Sequence, residues 1–317
     1  MKRNPNKLFY RFAPVRDLDT LAEALELSRP QLERLARRAD RMYSPVIKKK
    51  KDGSPRKTWN AHRQLKAAQE LIKARFLAKA VYPLYLQGGI RDPEHPRDFA
   101  RNAGIHSGQA CVINEDVADF FPSTTADQVR QIWNNVFRFA PDVSECLTRL
   151  TTRRGWLPQG AKTSNHLANL VPWRDEHELV RHFASQGFRY SRLTDDISVS
   201  SSRPLSLVEK STIVSAIYAF LRRNGYWPNR KKHFIFNRGK SMRVNNLVVN
   251  RRPALPRKER SAIRGLVHHT IQALHAGRPA EASLSLPRVV GKVGKLKRFH
   301  PRAGRRLGER LKTSLPG

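Results

Sequence analysis

The chain has 317 residues, of which 61 are Lys or Arg and 26 are Asp or Glu, so its formal net charge is +35 at pH 7. A hydrophobic fraction of 39% excludes a disordered chain, and this excess of positive charge is typical of a protein that binds a long polyanion in a salt-sensitive way. The two cysteines, Cys111 and Cys146, do not suggest a disulfide framework or a zinc site, and no apolar run is long enough for a signal peptide or a membrane span. These features predict a cytoplasmic protein without a membrane partner, although the charge alone also fits a ribosomal-type basic protein.

The first predicted elements are two helices within residues 17–43. Leucines recur there at helical spacing, and Ser28 is placed to cap the second helix, with Pro30 in its first turn. Helix, short break and helix also describe a helix-turn-helix, the DNA reader of a sequence-specific regulator. Packing within a helical lobe is the preferred interpretation, because a regulator built on residues 18–40 would leave most of the chain unexplained.

Residues 44–60 form a predicted basic hairpin. Extended segments flank Asp52-Gly53, which is a strong turn signal, and the cations include Lys48 and Arg56. The hairpin is either an exposed charged ribbon or a flexible cationic clamp for a triphosphate. A helix is predicted over residues 61–87.

A short apolar strand that ends in acids is predicted at residues 110–116. Asp116 stands where the strand ends, a usual place for a ligand-binding side chain. A helix follows it, with Thr125 and Gln128 at the spacing of a capping box and apolar residues along one face.

Two adjacent carboxylates, Asp195 and Asp196, lie at the tip of a predicted hairpin over residues 188–200. Apolar and polar residues alternate on both sides of them, which is the pattern of two strands. Acids at a turn are often merely solvated. Mg²⁺ prefers oxygen ligands, however, and two such ions can stabilise the attacking and leaving oxygens of phosphoryl transfer. Asp116 with Asp195 would suffice to hold them, and Asp196 would be a weaker third ligand.

The remaining predicted elements complete an α+β order. They are a helix over 142–155, a turn at 155–160, helices over 163–184 and 205–224, strands over 231–236 and 244–249, and a basic, mostly helical region from residue 251 onward. A small antiparallel sheet backed by helices and flanked by two basic lobes accounts for this order.

From about residue 17 to about residue 250, the ordered motifs resemble those of the bacterial reverse transcriptases, most closely the retron type. The matching segments are Asp116-Val-Ala-Asp-Phe-Phe-Pro-Ser, Leu157-Pro-Gln-Gly, the Asp195-Asp196 hairpin as a Tyr-X-Asp-Asp motif, and Gly225 to Lys232 as a Gly…Asn…Lys motif. The resemblance implies a right-hand polymerase. Its N-terminal helices and fingers would span residues 1–106, its palm 107–250 and its basic thumb 251–317, with part of 130–185 packing toward the fingers.

The resemblance also implies the catalytic centre. Asp116, Asp195 and Asp196 would be catalytic and, together with Val117, would hold two Mg²⁺ ions, for which Mn²⁺ is an alternative.

The nucleotide-binding residues implied by the resemblance are Lys48, Arg56, Phe121, Gln159 and Lys232. The two hairpin cations would bind phosphates, which suits the Arg fork, Gln159 would pack against the nucleotide and template, and Lys232 would neutralise or protonate the leaving pyrophosphate. Phe121 is either a steric gate against a ribose 2′-OH or a core residue.

The chain matches the retron signatures with departures. Residues 102–106 match the Asn-Ala-X-X-His signature, residues 244–246 read Val-Asn-Asn where the retron type has Val-Thr-Gly, and Leu193 replaces an aromatic platform at the primer terminus. The implied RNA-binding residues are Asn102, His106, Val244, Asn245, Asn246, Lys292, Lys295, Lys297 and Arg298.

The resemblance implies an RNA-directed DNA polymerase that uses dNTPs, binds its own structured non-coding RNA and primes from an internal 2′-OH. The product would be a branched RNA–DNA hybrid, made in anti-phage defence together with a separate effector protein. One alternative is another bacterial defence reverse transcriptase with a different RNA or product. A second is a catalytically silent RNA-binding scaffold.

Overall fold

The architecture comes from a computed structural model, which describes residues 7–49, 53–276 and 279–314, with backbone only for 279–284. Asp52, at the predicted hairpin turn, lies outside the described residues. None of the helices in these ranges combines the length and apolar character that a bilayer-spanning helix requires.

Short helices and one hairpin make up the N-terminal part. Ser28 and Gln31 form a capping box at the second helix, because an N-cap side chain satisfies an amide that has no intrahelical partner. The elements are α1 (Leu18–Ala24), α2 (Arg29–Arg38), β1 (Tyr43–Lys49), β2 (Pro55–Ala61), α3 (Arg63–Arg75) and α4 (Phe99–Ile105). The predicted two helices and basic hairpin are therefore confirmed, whereas the helix predicted over 61–87 ends at Arg75.

The centre of the molecule is an antiparallel four-stranded sheet, called the central sheet below. Its strands are β3 (Cys111–Asp116), β4 (Phe188–Leu193), β5 (Asp196–Ser201) and β6 (Phe234–Asn237), in the order β4-β5-β3-β6. Alternate side chains of β3 point to opposite faces. Cys111 and Ile113 join a main core, and Val112 joins a second core. The sheet thus lies between two apolar layers, as an α+β architecture predicts.

Helices cover the main-core face of the sheet. They are α5 (Phe120–Ser123), α6 (Ala126–Gln131), α7 (Pro141–Thr151), α8 (Ser164–Leu170), α9 (Glu176–Ser185) and α10 (Leu207–Arg223). Thr125 and Gln128 form the predicted capping box of α6. The single helix predicted over 163–184 is wrong, because the chain turns between α8 and α9. Pro172 lies in that turn, where it supplies no amide donor to continue the helix.

The C-terminal region is helical and packs on the second core. It comprises a small hairpin of β7 (Arg243–Val244) and β8 (Leu247–Val248), followed by α11 (Arg257–His275), α12 (Pro279–Phe299) and α13 (Pro301–Thr313). The strand predicted over 244–249 is thus a hairpin. Asn245 and Asn246 form its turn with φ of 49° and 64°, and positive φ at both central residues is the mark of a tight two-residue turn in which Asn is favoured.

Candidate active site

The central sheet brings three carboxylates together. Asp116, the last residue of β3, is the direct cross-strand partner of Asp196, the first residue of β5. The amide of Val117 donates to the carbonyl of Asp195 over 3.0 Å. Residues that are about 80 positions apart in sequence therefore share one end of the sheet because antiparallel pairing fixes their register.

Burial and mutual repulsion raise the pKa values of two carboxyl groups in this cluster. Burial, reinforced by the charge of Asp116, raises the pKa of Asp195. Burial and the charges of Asp195 and Asp116 raise the pKa of Asp196 to about 7. Clustered carboxylates in a poorly solvated place favour protonation or a bound cation.

Asp116 is held in place from the segment after α10. The side-chain amide of Asn229 donates to Asp116 Oδ1 over 2.9 Å, and Lys232 Nζ donates to Asp116 Oδ2 over 2.7 Å. Burial lowers the pKa of Lys232, but its hydrogen bond to Asp116 and the charges of the three acids outweigh that effect and raise it. Lys232 is thus a protonated group beside the acids, and Asn229 is a contact that sequence reasoning missed although it lies within a recognised motif.

The donor chemistry of the cluster fits a divalent cation. Carboxylate oxygens are the ligands that Mg²⁺ prefers, and the raised pKa values show charge that a cation would neutralise. Val117 is buried next to Asp116 in the chain and forms an isolated antiparallel β-bridge with Pro228. Within the described residues, no group of three or more His, Cys, Asp or Glu side chains is already arranged around one point as a metal site.

The basic hairpin of β1 and β2 reaches this centre. Lys48 and Arg56 are cross-strand partners, so they share a face, and both are exposed. The charge of Arg56 lies close enough to the acids to offset part of the rise in the pKa of Asp195.

The hairpin is attached to the turn that contains Gln159. The amide of Trp59 donates to the carbonyl of Gln159 over 2.8 Å, and the guanidinium of Arg153 lies 3.5 Å from the centre of the Trp59 ring. A Cβ at Gly160 would lie 3.0 Å from the carbonyl oxygen of Trp59, and Gly160 has φ of +108°. Glycine is therefore required for this close approach, and the contact links two segments about a hundred residues apart.

Phe121 lies in α5, four residues after the buried Val117, and only 8% of it is exposed. Its ring meets that of Phe120 edge-on at 5.8 Å. It belongs to the main core, so the structure supports its core role and leaves the steric gate a prediction.

The two segments that match retron signatures, residues 102–106 and 244–246, contact each other over the face of the central sheet that packs on the second core. Asn102 is fully buried, and its amide donates to Asn245 Oδ1 over 2.5 Å. The amide of Asn245 in turn approaches Asp196 Oδ2 at 3.4 Å. His106 is also fully buried, and its ring nitrogens contact Ser191 Oγ and Ser200 Oγ.

This placement corrects the RNA-binding assignment of three side chains. Asn102, His106 and Val244 have at most 1% of their surface exposed, so they offer nothing for RNA to contact. They brace the sheet instead. Asn246, at the tip of the small hairpin, is exposed and Asn245 is half-buried.

The four predicted cations of α12 differ in their surroundings. Lys295 Nζ pairs with Glu259 over 2.7 Å, and Arg298 pairs with Asp98, the N-cap of α4, over 2.5 Å. These two connect helices within the protein. Lys297 is exposed and Lys292 is half-buried.

A buried ion pair beside the acid turn was also missed from the sequence. Arg192 and Glu176 are 1% and 2% exposed, and their nearest atoms are 2.6 Å apart. The partner lies 16 residues away on another element, so no local pattern could have identified it.

Comparisons with known proteins identify the family of this chain. The Retron Se72 reverse transcriptase of Salmonella heidelberg is 32% identical over 268 residues, covering 83% of this chain and 70% of the relative. The chain belongs to the retron reverse transcriptases. It is therefore an RNA-directed DNA polymerase, and the silent-scaffold alternative is not needed.

Further relatives extend the same family. The Retron Ec48 reverse transcriptase of Escherichia coli is 29% identical over 90% of this chain and 73% of the relative, and the Retron Ec86 enzyme of the same organism is 27% identical over 80% and 78%. No family model matches the chain. Among solved structures, a telomerase from Candida tropicalis has a TM-score of 0.43 and 11% identity over 68% of this chain and 55% of that one.

Proposed function

We propose that this reverse transcriptase binds a structured non-coding RNA, primes from an internal 2′-OH of that RNA and synthesises a branched RNA–DNA hybrid. The observation that carries the catalytic part is the juxtaposition of Asp116 with Asp195 and Asp196 across β3 and β5. Family membership supports the retron product. On the same ground of family membership, we propose that the enzyme acts in anti-phage defence with a separate effector protein.

In this proposal, the molecule is a right hand in which the central sheet is the palm, the β1–β2 hairpin belongs to the fingers and α11–α13 form the thumb. The exposed cations of the C-terminal helices, Lys297 among them, supply the RNA-binding surface. A net charge of +35 supports a mainly electrostatic, salt-sensitive affinity for the RNA template and the DNA product.

The proposed reaction is attack of a primer hydroxyl on the α-phosphate of a dNTP. Two Mg²⁺ ions, held by Asp116, Asp195 and the Val117 carbonyl with Asp196 as a further ligand, would supply Lewis-acid stabilisation of the attacking and leaving oxygens. Lys232 neutralises or protonates the departing pyrophosphate from its position beside Asp116.

Around this centre, Lys48 and Arg56 bind the triphosphate, and the turn at Gln159 packs against the nucleotide. Most of the acceleration in such a reaction comes from positioning and charge neutralisation, which suits a rigid sheet edge flanked by cations.

The test is to purify the enzyme from its native locus and digest the co-purifying nucleic acid separately with RNase and DNase. The matched sample is the Asp195→Asn/Asp196→Asn variant. We expect a DNase-sensitive band of fixed length that is joined to RNA in the wild type and absent in the variant, while RNA is retained in both. Loss of both nucleic acids in the variant would instead report an unfolded sheet, which circular dichroism would reveal.

A second candidate is a bacterial defence reverse transcriptase with a different RNA or product. Asn245 and Asn246, which stand where the retron type has Thr and Gly, favour it. RNA without any linked DNA in the wild-type sample would support this candidate over a branched product.

A further inference from the structure

The residue before the catalytic pair has an unusual backbone conformation. Thr194 joins β4 to β5 with φ of 62°. A β-branched residue rarely adopts this left-handed region, and such a conformation persists only when its surroundings impose it. Asp195 follows directly, so the direction of its side chain depends on how Thr194 is held.

The guanidinium of Arg192 contacts this turn from inside the protein. Nη1 of Arg192 donates to the carbonyl of Thr194 over 2.9 Å, and Nη2 donates to the carbonyl of Asn169 over 3.0 Å. Its Nε and Nη2 also donate to the two carboxylate oxygens of Glu176 over 2.6 and 2.8 Å. A planar fork with several donors can make all these bonds at once, which a lysine ammonium at the same place cannot.

A glycine contacts the turn from the other side. The segment around Gly88 runs along the free edge of β4, since Arg192 exchanges backbone hydrogen bonds with Tyr85 and Gln87, each 2.8 Å long. A Cβ at Gly88 would lie 2.6 Å from the backbone nitrogen of Thr194 and would also collide with its hydroxyl. The carbonyl of Gly88 is in turn held by the amide of Asn169 over 2.6 Å.

We propose that Arg192, Glu176 and Gly88 form a positioning clamp that keeps Thr194 left-handed and thereby orients Asp195 for catalysis. The inference rests on the catalytic role proposed for Asp195. None of the three touches the reacting atoms: Glu176 orients the guanidinium, the guanidinium fixes the Thr194 carbonyl, and Gly88 leaves the space that the turn occupies.

The first test is Arg192→Lys, alone and combined with Thr194→Gly, measured by primer extension on an RNA template with Mg²⁺. We expect Arg192→Lys to lower kcat by about 100-fold, the cost of a small misplacement of a reacting group, with KM for the primer–template unchanged. Thr194→Gly should recover at least about tenfold of that loss, because glycine adopts φ of 62° without needing the clamp. The melting temperature of the double variant should not recover, because the buried Glu176 carboxylate still lacks the guanidinium of Arg192.

A second variant, Gly88→Ala, leaves the ion pair intact and decides the proposal if Arg192→Lys does not fold. It should lower kcat by about tenfold or more without changing KM. Its matched control is Gly265→Ala, where an added Cβ has no neighbour within 4 Å and φ is not positive, and where kcat should not change.

The clamp is overturned if the kcat of Arg192→Lys falls only in proportion to its folded fraction, or if adding Thr194→Gly recovers none of the lost kcat. It is also overturned if Gly88→Ala has the same kcat as Gly265→Ala. Because the assay uses an ordinary primer–template, these outcomes are independent of whether the native product is branched. Failure of the branched-product proposal would leave the clamp standing.

Discussion

The acid end of the central sheet and the β1–β2 hairpin carry opposite charges at the proposed active site and are built differently. At the sheet, Asp116 is buried and both of its carboxylate oxygens have fixed partners. On the hairpin, Lys48 and Arg56 project from an exposed ribbon that Trp59 attaches to the Gln159 turn. Carboxylates that hold catalytic ions must be placed accurately, whereas cations that bind a triphosphate can adapt to it. Substitutions in the sheet should therefore change kcat, and substitutions in the hairpin should change KM.

Asp116→Asn should have the largest effect on the sheet side of the site. We expect kcat to fall by about 10³-fold, since removal of one preorganised electrostatic group costs on the order of 10²–10³ and the ion site is lost with it. Asp119→Asn is the matched control, because Asp119 is exposed three residues away; its kcat should stay within about twofold, as for most surface substitutions. Equal losses in single-turnover assays would contradict the assignment of the metal role to Asp116 rather than to Asp119.

Lys232→Met should have the next largest effect. It removes the cation beside Asp116 and the proposed proton donor for pyrophosphate, and we expect kcat to fall by roughly 10²-fold, the lower end of general acid catalysis. Lys231→Met, a neighbouring exposed cation, is the control. A rise in KM with kcat intact would mean that Lys232 only binds the nucleotide.

Phe121→Ala tests whether the buried Phe121 ring also selects between the deoxyribose and the ribose of the incoming nucleotide. If the ring is the steric gate, the ratio of kcat/KM for dNTP over rNTP should fall by about tenfold or more, since pocket shape discriminates on this scale. Phe120→Ala, which is similarly buried, should destabilise the protein without changing that ratio. An unchanged ratio in both variants would assign Phe121 to the core.

Lys48→Ala and Arg56→Ala should each raise KM for dNTP by only about three- to tenfold, because exposed charge interactions contribute about 1 kcal/mol or less. The effect should shrink at high salt. Lys49→Ala, on the opposite face of the same strand, should leave KM unchanged. A fall in kcat for Arg56→Ala would place this cation in the rigid part of the site.

The last prediction concerns stability rather than rate. Burial lowers the pKa of His106 to about 3, so between pH 3 and 6.5 the unfolded chain binds a proton that the folded chain does not. Stability should therefore fall as the pH falls through this window, by up to about 1.4 kcal/mol per pH unit. Urea unfolding at pH 7 and pH 5 should show a smaller difference for His106→Gln than for the wild type. The exposed His182→Gln should keep the wild-type difference.

Local signals were enough to predict several elements. Ser28 with Gln31 and Thr125 with Gln128 cap helices as their spacing indicates, and alternation on both sides of Asp195 and Asp196 predicted the hairpin. The failures also have local causes. The strand predicted over 244–249 contains Asn245 and Asn246, although Asn is among the residues that favour left-handed turns. The helix predicted over 163–184 contains Pro172, which supplies no amide donor to continue it.

The amino-acid sequence was enough to establish the charge, the strand ends that carry Asp116, Asp195 and Asp196, and the likeness to the retron reverse transcriptases. The fold was needed to show that Asn102 and His106 are buried, that Trp59 attaches the hairpin to the Gln159 turn, and that Arg192 and Glu176 contact the turn before Asp195 from inside the protein. The physical reason is separation along the chain. Caps and turns are encoded within a few residues, whereas burial and ion pairing depend on partners that only the folded register brings together.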